Sequence, residues 1–198
     1  MLKSLLIIYI FIISTILSNE TILNHKFIKD VKIFGNKITK DYIINRELEQ
    51  KINTAYDSTI AANDRNRIYN LNIFSSVEIS MIDSTYSIFV KEAPRIIPVP
   101  QGAYDESKGV SIGAGIYNYN LFGRNYKLSL SGIFGLTDSA PNIYLISFYN
   151  PWAFGNHISV AGDIFKEIFI DNIQKYEMNI SGVELETGFH IGIKNKYK

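Results

Sequence analysis

The sequence contains no cysteine. That absence removes disulfide scaffolds, thiolate metal sites and the lipidated cysteine of a lipoprotein, and it is compatible with an oxidising compartment without requiring one. Net charge is missing too: 20 Lys and Arg stand against 19 Asp and Glu, so no overall field draws nucleic acid to the surface. Tryptophan is nearly absent, one residue beside 13 Tyr and 12 Phe. A tyrosine-rich set suits an interface where an apolar ring with a polar tip lies between lipid and water. His25, His157 and His190 are scattered without metal-ligand spacing. Gly113-Ala-Gly115 starts like a dinucleotide fingerprint, but Asn118 takes the third glycine's place and no helix follows. Asp163, Glu167 and Asp171 recur at spacing four, which on a strand only returns side chains to one face. There is no nucleophile with its base and no phosphate loop. The sequence therefore carries no expected catalytic residue, cofactor or metal, and it is read as non-enzymatic.

Long apolar runs are also scarce, and the one at the start is short. Lys3 supplies a positive flank, and Leu5 to Leu17 form an uncharged thirteen-residue run. A spanning helix needs roughly 17–25 such residues, so residues 1–19 read as a signal peptide. Ser18 is small, yet Ile16 departs from the usual small-x-small cleavage pattern, so the cut is undefined and an uncleaved anchor stays open.

Residues 26–92 read as a compact α+β domain in the order strand, helix, helix, strand, strand. Phe27 to Phe34 alternates as a strand, and Gly35-Asn36 ends it in a turn. Thr39 is the expected N-cap of the first helix, with Asp41 in its first turn and Ile38 and Ile43 spaced as a hydrophobic staple. Ile44 and Leu48 continue its apolar stripe. The second helix starts near Asp57 and carries Ile60, Ala61, Asp64, Ile68 and Leu71 at helical spacing. Asn72 ends it, as the residue after glycine best suited to a left-handed cap. Val77, Ile79 and Met81 alternate on one closing strand, and Tyr86, Ile88 and Val90 on the next, with Asp83-Ser84-Thr85 as the turn.

Residues 93–108 hold Pro94, Pro98, Pro100 and Gly102 and read as a linker. From 109 to 198 the period is two. Val110, Ile112, Ala114 and Ile116 alternate with Ser111, Gly113, Gly115 and Tyr117, and four more segments, around Leu130, Ile146, Ile164 and Ile180, follow the same rule. Near Ser181-Gly182 the phase slips, as a β-bulge would make it do. Successive segments of about ten residues, apolar on one side and small or polar on the other, are the signature of a membrane barrel wall. A soluble sandwich with one wet face has a similar pattern.

Two turns add specificity: Asn120-Leu-Phe-Gly-Arg-Asn125 and, one hairpin later, Asn150-Pro-Trp-Ala-Phe-Gly155. At Asn120, Phe122, Gly123 and Arg124, and again at Pro151, Trp152 and Gly155, the sequence resembles the BamA superfamily of outer-membrane assembly and secretion proteins. Its N-terminal half resembles that family's POTRA module at Gly35-Asn36, Arg46-Glu47-Leu48, the run Asp64 to Phe74 followed by Val77, and Val90-Lys91-Glu92-Ala93-Pro94. Asn72 and Asn125 depart from the pattern, each standing where the family usually has glycine. The resemblance implies a POTRA-like domain in the periplasm followed by the N-terminal strands of an antiparallel transmembrane β-barrel, incomplete in this chain. It implies a bacterial outer-membrane protein that helps fold and insert other barrel proteins, with accessory lipoproteins and outer-membrane lipids as further partners and no nucleic acid. Export of a dedicated passenger, as in two-partner secretion, and a passive or enzyme-fused barrel are the rival readings.

Trp152 and Phe154 would lie in an interfacial aromatic girdle, or simply pack the hairpin end. Arg124 would lie among headgroups, pair with the periplasmic domain or face solvent. The strand Gly109–Tyr117, with Ile112, Gly113, Ala114 and Gly115, is the expected first strand of the barrel and hence the client-pairing edge, weakened by its glycines. A second client edge is expected at Val77–Asp83.

Overall fold

The computed structural model describes residues 27–154, 158–171 and 175–189. The signal segment, Gly155, His157 and the stretch 190–198 lie outside them. The described residues build two separate sheets, one of three strands and one of six.

The first unit runs β1 (Asp30–Phe34), α1 (Asp41–Asn45), α2 (Ser58–Tyr69), β2 (Phe74–Ile82) and β3 (Thr85–Glu92). β1 lies parallel to β3 and β2 antiparallel to it, so β3 is central and β2 is an edge. Asp57 caps α2, its Oδ1 accepting from the N–H groups of Thr59 and Ile60 at 2.7 and 3.3 Å. Helix and sheet close on Ile28, Ile43, Ile44, Ile68, Tyr86 and Ile88, all fully buried, with Leu48, Phe74 and Val77 beside them. Each such side chain contributes about 1.5–3 kcal/mol by leaving water. Asp64 lies inside this core and is matched there: its carboxylate accepts from Glu49 N–H, Gln50 N–H and the Tyr86 hydroxyl. Burial, followed by the Asp64 charge, pushes the Tyr86 phenol far up, so it stays a donor. Gly35 takes φ +91°, and a Cβ there would lie 2.0 Å from the Val90 carbonyl oxygen; only glycine fits.

The second sheet has the order β4 (Ile96–Asp105), β5 (Gly109–Leu121), β6 (Tyr126–Gly135), β7 (Asn142–Asn150), β8 (Ser159–Ile170) and β9 (Glu177–Gly188). Every neighbouring pair is antiparallel, and among the described residues the sheet is not closed.

Four expectations need correction. The linker 93–108 is mostly strand β4, because a proline is harmless where the backbone N–H faces no partner. As a result β5 is an interior strand, paired on both sides, and among the described residues the outer strands of the sheet are β4 and β9. Thr39 does not cap α1; Lys40 holds that position without a side-chain bond, and the Thr39 hydroxyl is engaged elsewhere. No bulge stands at Ser181-Gly182, since β8 and β9 pair in unbroken register from Ser159↔Gly188 to Ile170↔Glu177. The apolar residues of β9 change face there: Ile180 opposes Glu167, whereas Val183 opposes Ile164.

Candidate functional site

Residues directly opposite one another in a sheet share a face. Following the registers across all six strands, Pro98, Ile116, Leu130, Ile146, Ile164 and Val183 stand in one row. Every isoleucine, leucine and valine in that row is exposed, from 45% at Ile146 to 69% at Val183. Ile112 and Phe134 extend the same face two rungs away, beyond the Ala114–Gly132 pair. The neighbouring row on the opposite face reads Ile97, Tyr117, Ser129, Ser147, Asp163 and Glu184. The other face is mixed, with Ile133, Ile143, Leu145 and Phe165 beside these polar residues, so the continuous exposed apolar band is confined to the first face, as in a barrel wall with one lipid-facing side.

The glycines expected to weaken an edge act differently. A Cβ on Gly113 would lie 1.9 Å from the Gly132 carbonyl oxygen, and one on Gly115 would crowd Tyr117, Ser131 and Gln101. They permit the close approach of β5 to its neighbours. Ala114 pairs with Gly132 and with Pro100 on the outward face. Gly109 takes φ +101° at the β4–β5 turn, packed on Thr137. Tyr117 lies on the face opposite the apolar row, accepting a hydrogen bond from Gln101 Nε2 at 3.0 Å and stacking on Tyr119.

The β5–β6 turn is fastened to the first unit. Leu121-Phe-Gly-Arg124 closes with an Arg124 N–H to Leu121 O bond, and Phe122 and Gly123 both have positive φ, the mirror-image geometry tight hairpins favour. Asn120 is buried beneath it: its Oδ1 accepts from Asn125 N–H, and its Nδ2 donates 2.8 Å to the Thr39 hydroxyl. That hydroxyl donates to Glu92, whose carboxylate also accepts from the N–H groups of Ile38 and Thr39. Burial alone would raise Glu92, but these bonds and the charge of Arg95 outweigh it and hold the carboxyl below its ordinary range. Lys40 N–H donates 2.9 Å to the Gly123 carbonyl. Gly123 is so close that a Cβ would stand 2.0 Å from the Ile38 carbonyl oxygen.

A second contact joins α1's end to the β7–β8 turn. The Arg46 guanidinium lies 4.5 Å above the Trp152 ring and is paired with Glu47 at 3.3 Å. Burial lowers Arg46, with the Glu47 charge opposing it, and burial raises Glu47 against the charges of Arg46 and Arg67. Arginine keeps its charge regardless, and such a desolvated cation–π contact contributes about 2 kcal/mol. Trp152 thus turns toward the first unit, while Phe154 is 78% exposed. The Arg124 side chain is exposed, and the arginine that meets the wall is Arg46. Pro151 is half-buried in the turn, and Gly155 lies outside the described residues. Asn36 donates to Thr39 O, steadying the loop that carries Thr39. Thr39 and Arg46 as joint residues, and β4 as the edge, went unseen in the sequence. Alternate prolines at 98 and 100 were the available signal for the edge; nothing local marks Thr39.

Residues 27–94 match the POTRA family, described as surface antigen variable number repeat, and residues 120–198 match the Omp85 superfamily domain. Residues 120–198 are thus an Omp85 superfamily domain, preceded by a POTRA domain. The chain's likeness is of the BamA type: it is 34% identical over 106 residues to the outer membrane protein assembly factor BamA of Neorickettsia risticii, a match covering 51% of this chain and 14% of that protein. The crystal structure of BamA from Haemophilus ducreyi lacking POTRA domains 1–3 superposes with a TM-score of 0.65 at 21% identity, over 81% of this chain and 32% of that one. CdiB from Escherichia coli gives 0.53 at 8% identity, over 82% and 32%. The Omp85 chain therefore spans about a third of the solved structures and a seventh of the curated relative. Those likenesses establish the fold, a POTRA-like α+β unit followed by part of a BamA-like barrel wall.

Proposed function

We propose that this Omp85 protein lies in the bacterial outer membrane, its first unit in the periplasm, and helps fold and insert β-barrel clients. The carrying observation is the outer edge of β4, which no described strand covers, beside a wall with an apolar belt on one face. A client strand in lipid leaves each unpaired backbone N–H and C=O at a cost of several kcal/mol. An edge held at the membrane supplies partners before that cost is met, so strand addition needs no nucleotide. The three-stranded sheet offers a second edge at β2, where the incoming chain can be held first. Unfolded outer-membrane proteins are the partners this arrangement suits, with lipids against the belt and accessory lipoproteins on the periplasmic unit.

The test is depletion of the intact protein followed by fractionation. The protein itself should sediment with the outer membrane and shift on unheated gels, and its loss should lower many barrel proteins together. Loss of one secreted passenger alone would favour two-partner secretion. Recovery in the soluble periplasm with no heat-dependent shift would sink both readings.

A further inference from the structure

The outer edge of β4, which no described strand covers, is not uniform along its length. In an antiparallel ladder successive residues direct their N–H and C=O to opposite sides. Tyr119 N–H donates 2.8 Å to the Arg95 carbonyl, which fixes the parity: Arg95, Ile97, Val99, Gln101, Ala103 and Asp105 face β5. Ile96, Pro98, Pro100, Gly102 and Tyr104 therefore direct their backbones outward. Both prolines fall in the outward set. The edge offers carbonyls at every outward rung, but N–H groups only at Ile96, Gly102 and Tyr104.

The gap has a place in the membrane. β4 enters from Arg95, on the side of the first unit, and leaves through the Asp105–Gly109 turn on the opposite side. Pro98 belongs to the apolar row of Ile116, Leu130, Ile146, Ile164 and Val183, and Pro100 is one rung further. Any strand laid against β4 continues that row, so it must present apolar side chains on one face and polar ones on the other. That chemistry is a transmembrane β-strand. Opposite Pro98 and Pro100 its carbonyls would find no donor, at the depth where lipid offers none either.

We infer that the edge is polarised: β4 grips an incoming transmembrane strand through Gly102–Asp105 and leaves a proline gap on the side of the periplasmic unit. The gripped strand pairs at the far end and splays at the near one, where its chain continues from the first unit. This inference rests on the strand-addition reading and assigns that edge a direction.

The absence of cysteine makes a disulfide test clean. Ile96→Cys and Tyr104→Cys, in the intact protein reconstituted in phosphatidylethanolamine vesicles, bracket the gap. The probe is a synthetic peptide of about ten residues, alternating valine and threonine, with cysteine at one end or the other. Trapping at Tyr104→Cys should exceed trapping at Ile96→Cys by on the order of tenfold. Pro98→Val and Pro100→Val, singly and together, restore outward donors and should bring the two positions stepwise toward equality. Equal trapping with both prolines present overturns the polarity while leaving strand addition intact, as does a bias that persists after both are replaced. Trapping at neither position removes strand addition at β4, and the inference with it.

Discussion

Gly123 carries two demands at once. Its φ of +69° suits glycine, and its missing side chain lets the turn touch the Ile38 carbonyl. Gly123→Ala should cost about 1–2 kcal/mol from the left-handed backbone alone, and the clash adds to it. The expected outcome is a loosened joint with an intact wall, read as faster amide exchange at Lys40 and Asn125 and unchanged exchange in β6 and β7. Equal effects on both would mean the turn is simply part of the wall. Glu92 gives the same joint a pH dependence. Its folded pKa is depressed, so its contribution is complete above the ordinary carboxylate value and is lost as pH falls through the folded one. Glu47 is raised and has the opposite sign, its contribution fading as pH rises. Acidification should therefore lower the protection factors of the Ile38 and Thr39 amides relative to their intrinsic exchange, and Glu92→Gln should abolish that acid limb; an unchanged limb would assign it to another carboxylate. Asn72 and Asn125 were legible at this scale: both stand at positive φ, 58° and 57°. Thr39 was not, because its hydroxyl is recruited by Asn120, 81 positions away, and a local cap signal cannot see that distance.

At the scale of elements, periodicity revealed what was regular and missed what was interrupted. Alternation marked β5 through β8 because each carries the exposed apolar row on one face and serines, glycines or acids on the other. β4 escaped because its prolines look like breakers until one knows that their nitrogens face no partner. The switch of face in β9 looked like an inserted residue because both produce the same shift in hydrophobic phase; only the register separates them. The corrected order makes a sharp prediction. Leu136 N–H donates to Val110 O, so the even-numbered residues of β5 direct their backbones at β6. Ile112→Pro removes a ladder donor from an interior strand, whereas Tyr104→Pro removes one from the free edge. The first variant should fail to give a heat-shifted band on gels and the second should give a normal one. Equal behaviour would mean β4 is not the edge.

Among the described residues the molecule is a wall with an apolar belt on one face, joined to a small α+β core at two turns. Its belt predicts how the wall responds to charge. Ile146→Lys places an ammonium in the outward row and should cost about 2–4 kcal/mol of membrane stability if that row lies at mid-bilayer. Ser147→Lys, one residue on, faces the lumen and should cost far less. Urea unfolding in lipid vesicles measures both, and a reversed order would turn the wall inside out.

The joint also bears on inheritance. Thr39 and Glu92 sit in one module, Asn120, Gly123 and Asn125 in the other, and the bond between Asn120 and Thr39 needs both. Modules joined this way cannot be traded freely between relatives. A chimera taking its first unit from elsewhere would bring a foreign surface to a buried asparagine, leaving Nδ2 without its acceptor at about 1–3 kcal/mol. Grafts should succeed when they carry the threonine and glutamate together with the turn they were selected against, so the natural unit of exchange runs past the domain boundary, to residue 125.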